Sequence, residues 1–163
     1  MFAPERVCLY SEPDHYAVYA WGNIMIACWS RAATGPAVER VALMRKGMHS
    51  RHPEGVSIIY LIGKDAGLPT AEARAGVQEM MARFSGQRAC LAIIVQGDGF
   101  GASAQRAAIT GVRVQVEAAF AMQVFDRTEQ AARWLPERHR EHTGVAVSPN
   151  ELVALLDQLM AEL

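Results

Sequence analysis

The chain has 163 residues, of which 51% are hydrophobic and 20% are charged, and its formal net charge at pH 7 is -1. The length is typical of one compact domain, and the hydrophobic content excludes a disordered chain. The nearly balanced charge excludes a strong overall positive field, so we expect no nucleic-acid partner.

The cysteines and the apolar runs indicate the compartment. Cys8, Cys28 and Cys90 are odd in number and widely spaced, which is typical of free thiols in a reducing compartment. The first residues lack the basic start and apolar core of a signal peptide. The longest apolar runs, residues 56–62 and 89–95, are too short to insert into a membrane. We therefore expect a soluble, cytoplasmic protein.

A β-hairpin is predicted near the start of the chain. Tyr16–Trp21 and Ile24–Trp29 are rich in aromatic and β-branched residues, and only Gly22 and Asn23 separate them. Two residues of this type are a hairpin-turn signal, because such turns need a positive φ. Residues 7–10 can add a short edge strand.

Helices and buried strands then alternate. Residues 37–48 form a predicted helix, with Pro36 at its first position and Arg45 and Lys46 in its last turn. The continuous apolar run at 56–62 is typical of a strand that is buried on both faces. The following predicted elements are a helix at 70–84, a strand at 89–95, a helix at 102–119 and a strand at 122–125.

A further helix is predicted to begin with a capping box in which Asp126 is the cap and Glu129 its partner. We expect this helix to run to about Leu135 and to end at Pro136. Residues 137–147 are polar and lack periodicity, which favours a linker.

A terminal amphipathic helix follows the capping box of Ser148 and Glu151, with Pro149 at its first position. Its apolar stripe consists of Leu152, Leu155, Leu156, Leu159, Met160 and Leu163. The stripe can pack on its own domain, which we favour, pair with a second copy in a homodimer, or bind a partner protein.

The element order is ββαβαβαβα, followed by the C-terminal amphipathic helix. This order predicts an α/β fold with a mixed, mostly parallel sheet and a leading hairpin. We divide the chain into an N-terminal extension (1–15), the α/β domain (16–136) and a linker with the terminal helix (137–163).

The element order resembles that of the STAS domain, the fold of the anti-sigma-factor antagonists, over residues 16–135. In those antagonists a phosphorylated serine follows the third strand, and the corresponding loop here, residues 65–70, reads D-A-G-L-P-T. The resemblance implies a non-catalytic regulatory or protein-interaction module with a protein partner. Ala66 in place of the serine implies that the phosphorylation switch is absent. We interpret the nearby Thr70 as a helix cap rather than a phosphosite.

The alternative is a protein that binds a small anion, nucleotide or lipid through two loops, residues 63–70 and 97–103. Loops at the carboxyl ends of parallel strands bind ligands in α/β folds. Gly99, Gly101 and Ala104 match a G-x-G-x-x-A pattern, but the pattern lies too late in the chain for a dinucleotide fold, so we expect no cofactor. The candidate binding residues are Lys64, Asp65, Thr70, Gly97, Asp98, Gly99, Gly101 and Ser103.

Two H-x-x-H spacings raise the question of a metal. They are His49 with His52 and His139 with His142, and no cysteine or carboxylate cluster accompanies either pair. We interpret them as polar residues at helix ends and in the linker, and expect no metal.

No nucleophile has an evident partner in the sequence. Ser57 lies in a buried-looking strand without a base, and Cys90 is expected to be inert core. We therefore expect no enzyme. Arg106 and Arg113 share a helix face, which we interpret as a solvated stripe.

Overall fold

A computed structural model of the chain describes residues 4–83, 90–97, 101–104, 106–107 and 121–163. In this part of the chain, six strands form one mixed sheet whose spatial order follows the chain order. The strands are β1 (Arg6–Glu12), β2 (Tyr16–Trp21), β3 (Ile24–Trp29), β4 (Ser57–Ile62), β5 (Cys90–Val95) and β6 (Ala121–Phe125).

The first three strands are antiparallel and the last four are parallel. β2 and β3 form the predicted hairpin, with Trp21 paired to Ile24 across a turn in which Gly22 has a φ of 59°. β3, β4, β5 and β6 pair in parallel. The predicted α/β fold with a mixed, mostly parallel sheet is confirmed.

The predicted order ββαβαβαβα has two strands before its first helix. The structure has three, and β1 is the additional strand. It pairs with β2 from Arg6, opposite Trp21, to Glu12, opposite Tyr16. Part of the predicted N-terminal extension, residues 1–15, is therefore a strand of the sheet. The short edge strand predicted as an addition at residues 7–10 is thus present, and it is longer than predicted.

The helices are α1 (Gly35–Arg51), α2 (Ala71–Arg83), α3 (Thr128–Thr143) and α4 (Pro149–Ala161), and residues 101–104 and 106–107 are also helical. The predicted cap of the terminal helix is present, since the Ser148 side chain accepts a hydrogen bond from the Glu151 backbone N–H. No helix in the described ranges is both long and apolar enough to cross a membrane.

α3 differs from its prediction at both ends. Its N-cap is Arg127 rather than Asp126, and no side chain caps it. The predicted end at Pro136 is wrong, because α3 continues to Thr143 and ends at Gly144, whose φ is 77°. Proline removes one helical hydrogen bond. Burial of Pro136 and of residues beyond it offsets that loss, so residues 137–143 are helix and not linker.

Each strand of the parallel region contributes side chains to two cores on opposite faces of the sheet. The first core contains side chains of α1 and α2 with Met25, Ile58 and Leu91 from the strands. The second contains side chains of α3 and α4 with Ile26 and Ile59. This is the alternation expected of strands covered on both faces.

The apolar stripe of α4 packs on its own domain, as we favoured. Leu152, Leu156 and Leu159 are buried in the second core, and Leu155 and Leu163 pack against it partly buried. The Thr128 hydroxyl also donates to the Asp157 carboxylate, which joins α3 to α4. The stripe therefore does not need a second copy of the chain to cover it.

α1 also ends later than predicted, which changes the position of Arg45 in the helix. Because α1 extends to Arg51, Arg45 lies inside the helix, and its side chain is fully buried beside the first core. Its guanidinium donates to the Val56 carbonyl at 3.4 Å. Burial lowers the pKa of Arg45 to about 10.

Candidate functional site

The loops after β4 and β5 meet at the carboxyl edge of the parallel strands. Lys64 and Asp65 of the first loop and Gly97 of the second line one open cleft, of about 870 Å³ including space open to solvent. We call this the edge cleft. The other residues that line it are Ser30, Gly63, Gln96, Met160 and Leu163. The structure thus brings three of the predicted candidate residues together, beside the end of α4.

The other candidates lie elsewhere. Thr70 caps α2, since its hydroxyl accepts from the Ala73 backbone N–H at 3.1 Å. Gly101 and Ser103 lie in the helical segment and do not line the edge cleft. Asp98 and Gly99 fall outside the described residues, and with them the predicted G-x-G-x-x-A pattern.

Two glycines of the edge cleft are required by its geometry. The Gly63 N–H donates to the Trp29 carbonyl at 2.9 Å, and a Cβ at Gly63 would lie 3.1 Å from that oxygen. Gly97 has a φ of 122°, in a region that residues with a side chain rarely adopt. Gly63 therefore lets the first loop lie against the end of β3, and Gly97 lets the second loop turn directly after β5.

Arg106 does not lie on a solvated stripe, so that interpretation is wrong for this residue. It is half-buried, and its Nη1 donates to the carbonyls of Val95 and Gly97, each at 3.0 Å. These contacts satisfy carbonyls at the end of β5 and hold the second loop against the sheet. Arg113 is outside the described residues.

A second concave feature lies on the opposite side of the sheet from α4. It is a narrow cavity with a nearly wholly apolar lining and an empty volume of about 590 Å³, including its mouth. We call it the apolar cavity. Arg31 and Arg74 are its charged lining residues. Its apolar lining comes from four strands (Trp29, Tyr60, Ile62, Ile93, Met122), the first loop (Ala66, Gly67, Pro69), residue Ala33 and helices α1 and α2 (Val38, Ala73, Val77).

A buried polar network connects α3 to the sheet. His139 Nδ1 lies 2.6 Å from the Ser57 hydroxyl, and its Nε2 lies 2.9 Å from Asn23 Oδ1. The Asn23 amide donates to the Gly55 carbonyl, and the Cys90 thiol donates to Ser57. Because Asn23 Oδ1 can only accept, Nε2 carries the proton and Nδ1 accepts from Ser57. The network is thus satisfied with a neutral imidazole.

This network has the composition of a nucleophile, a base and an orienting amide, but it is sealed. Ser57 and His139 are both 0% exposed, so a substrate cannot reach the hydroxyl. Burial lowers the pKa of His139 to about 4 and raises the pKa of Cys90 to about 11. The arrangement links α3 by hydrogen bonds to β4 and to the turn between β2 and β3.

The expectation that Ser57 has no base nearby is wrong, and so is the assignment of His139 to a linker. The sequence does carry a signal for the contact. His139 follows Leu135 by four residues, so the two share a face if the helix continues past Pro136. Because proline usually ends a helix, the predicted helix stops at Pro136 and does not include His139.

Neither histidine pair assembles a metal site. His52 Nδ1 contacts Glu54 Oε1 at 3.1 Å, and both ring nitrogens of His139 are engaged in the buried network. Within the described ranges, no group of three or more His, Cys, Asp and Glu side chains is placed to hold a metal ion.

No protein-family model and no curated protein matches this chain. The resemblance to the STAS domain therefore stays a prediction that rests on the element order and on the loop at residues 65–70.

Proposed function

We propose that the protein is a non-catalytic, STAS-like regulatory module that binds a partner protein at the edge cleft. The observation that carries the proposal is the meeting of the two βα loops in one open cleft beside α4. In parallel α/β sheets this edge is where ligands and partners bind. Lys64 and Asp65 are exposed there and offer one charge of each sign. Such a surface suits a polypeptide better than a strongly charged ligand.

The burial of the Ser57 hydroxyl supports a binding role. Among the described residues, the serine that has a histidine partner is fully buried. Ala66, at the position of the phosphorylated serine in the resembled antagonists, has a buried side chain without a hydroxyl. Binding is therefore expected to be constitutive rather than controlled by phosphorylation at this position.

The compartment is part of the proposal. Cys8, Cys28 and Cys90 are all free thiols, and burial raises the pKa of Cys28 to about 12. Free thiols are typical of a reducing compartment, which supports action in the cytoplasm.

The test is co-purification from the native cell with charge-reversal variants. The wild-type chain should retain a single protein in a fixed ratio, and the complex should survive gel filtration after purification. Lys64→Glu combined with Asp65→Lys should abolish the complex while leaving the thermal midpoint unchanged, because both side chains are exposed. Lys46→Glu, at an exposed position of α1, is the matched control and should keep the complex.

Any of three results would reject the proposal. The first is a complex that the loop variant retains, and the second is the absence of any complex with the wild-type chain. The third is hydrolysis of a model ester such as p-nitrophenyl acetate that disappears in Ser57→Ala, since this would place chemistry at the buried network.

Binding of a small ligand is the second candidate function. The apolar cavity favours it, because ligand pockets in proteins are concave and mostly apolar. Its lining includes Ala66, Gly67 and Pro69 of the loop that we predicted to bind a ligand.

A further inference from the structure

We infer that the apolar cavity binds a slender amphipathic anion, of which a free fatty acid is the chemical type. The inference gives a ligand class to the second candidate function and rests on it. It does not depend on a partner at the edge cleft, since the two concave sites have different lining residues.

The cavity wall suits an aliphatic chain. β3, β4, β5 and β6 contribute Trp29, Ile62, Ile93 and Met122, so the wall that the sheet gives to the cavity is apolar. The space between these side chains is narrow and opens to solvent at its mouth. A narrow apolar space favours a single unbranched chain over a broad polar ring system such as a nucleotide.

Two arginines supply the recognition of a head group. Arg31 follows β3 closely and is exposed, and Arg74 lies in the first turn of α2. Arg74 Nη1 donates to the Pro69 carbonyl at 2.8 Å, which fixes the guanidinium at the loop. A guanidinium has five N–H donors, so it can bind a carboxylate while keeping this contact.

The local charge also favours an anion. Among the described residues, no acidic side chain lines the apolar cavity and none of the ion pairs involves Arg31 or Arg74. A neutral lipid would leave the two cations without a counter-charge. A short anion without a tail would leave the apolar wall unoccupied. The combination therefore selects a ligand that carries both parts.

Binding is tested with three probes, namely decanoate, 1-decanol and acetate, by isothermal titration calorimetry. Decanoate should bind with a stoichiometry of one, decanol about tenfold more weakly because it lacks the charge, and acetate not measurably. Equal binding of decanoate and decanol would overturn the role of the arginines. Binding to phosphatidylglycerol vesicles but not to monomeric decanoate would overturn the inference in favour of a membrane surface.

Variants test the head-group contacts. Arg31→Gln and Arg74→Gln should each weaken decanoate about tenfold and leave decanol unchanged. Glutamine at position 74 retains an N–H donor for the Pro69 carbonyl, which protects the loop. Arg133→Gln removes the same charge from an exposed position of α3, on the other side of the sheet, and should have no effect.

Quenching of tryptophan fluorescence tests where the aliphatic tail of the ligand lies. This test does not require a variant in which a larger side chain fills the cavity. Trp29 lines the cavity, whereas Trp134 packs in the second core. A decanoate brominated at its far end should quench the fluorescence of the wild-type protein and of Trp134→Phe, but not that of Trp29→Phe. Quenching that persists in Trp29→Phe would place the tail elsewhere and overturn the inference.

The two proposals fail separately. Lys64→Glu alters the edge cleft and not the apolar cavity, so it should leave decanoate binding unchanged. Loss of decanoate binding in Lys64→Glu would contradict the assignment of the ligand to the cavity. A protein that binds no decanoate but keeps its partner would refute only the present inference.

Discussion

His139 shows how a single polar side chain can hold a helix on an apolar sheet. It is 0% exposed, yet both ring nitrogens have partners, and the chain of donors runs from Cys90 through Ser57 and His139 to Asn23. A buried polar group with all partners present is tolerated, whereas one left without a partner costs about 1–3 kcal/mol. Removal of any one side chain of the network would therefore leave another side chain without a hydrogen-bond partner.

The first prediction concerns acid stability. The pKa of His139 is lowered by burial to about 4, from its ordinary value of 6.5, so the unfolded chain binds the proton more tightly than the folded protein. The contribution of His139 to stability is complete above pH 6.5 and is lost as the pH falls towards 4. The loss should approach about 3 kcal/mol. Urea denaturation at pH 7.5, 5.5 and 4.5 measures it.

His139→Gln is the control for this prediction, because other histidines also titrate. The variant should be less stable at pH 7.5, but its free energy of unfolding should change less between pH 7.5 and 4.5. An equal change in wild type and variant would show that the acid sensitivity arises elsewhere.

The second prediction uses two glycines in different backbone conformations. Gly144 ends α3 with a φ of 77°, and a Cβ there meets nothing within 4 Å, so Gly144→Ala should destabilise by about 1 kcal/mol through backbone conformation alone. Gly47 lies inside α1 with the same open surroundings, and Gly47→Ala should stabilise by about 0.5–1 kcal/mol. Thermal denaturation of both variants checks the opposite signs.

At the scale of elements, α4 is a structural part of the second core. Leu156→Ala should reduce the free energy of unfolding by about 2–5 kcal/mol, because this side chain is fully buried. Leu43→Ala on α1 is the matched control, since Leu43 is 64% exposed, and should change stability by less than about 0.5 kcal/mol. Urea denaturation compares them. Similar small effects would mean that α4 is only loosely attached.

The elements that the sequence predicts well are those with strong local signals. The Gly22-Asn23 turn, the apolar runs of β4 and β5 and the Ser148 cap all act over a few residues, and all are present. The continuation of α3 past Pro136 could not be predicted locally. It depends on burial of His139 against Ser57, which is 82 residues away in the chain.

The candidate site likewise has one part that the sequence predicts and one part that it does not. The meeting of Lys64, Asp65 and Gly97 follows from a general rule of parallel sheets, so the sequence sufficed. The apolar cavity could not be predicted, because it exists only where side chains from four strands and two helices fail to fill the space between them. Arg31 and Arg74 belong to no common sequence motif. Only the packing of the elements places both of them at the apolar cavity.

At the scale of the whole molecule, the two cores share every parallel strand. Met25 and Ile58 point into the first core, and their neighbours Ile26 and Ile59 point into the second. Loss of either core would leave the other face of the same strands without support. The molecule is therefore expected to unfold as one cooperative unit, even though separate helices cover its faces.

The tryptophans allow this cooperativity to be measured. Trp29 lies in the first core, whereas Trp21 and Trp134 belong to the second. In urea, Trp29→Phe reports the second core by fluorescence, and Trp21→Phe combined with Trp134→Phe reports the first. In each variant the fluorescence midpoint should coincide with the midpoint from far-ultraviolet circular dichroism. Separate midpoints would mean that one layer of helices detaches first. The sheet face that it leaves would then be the surface open to a partner.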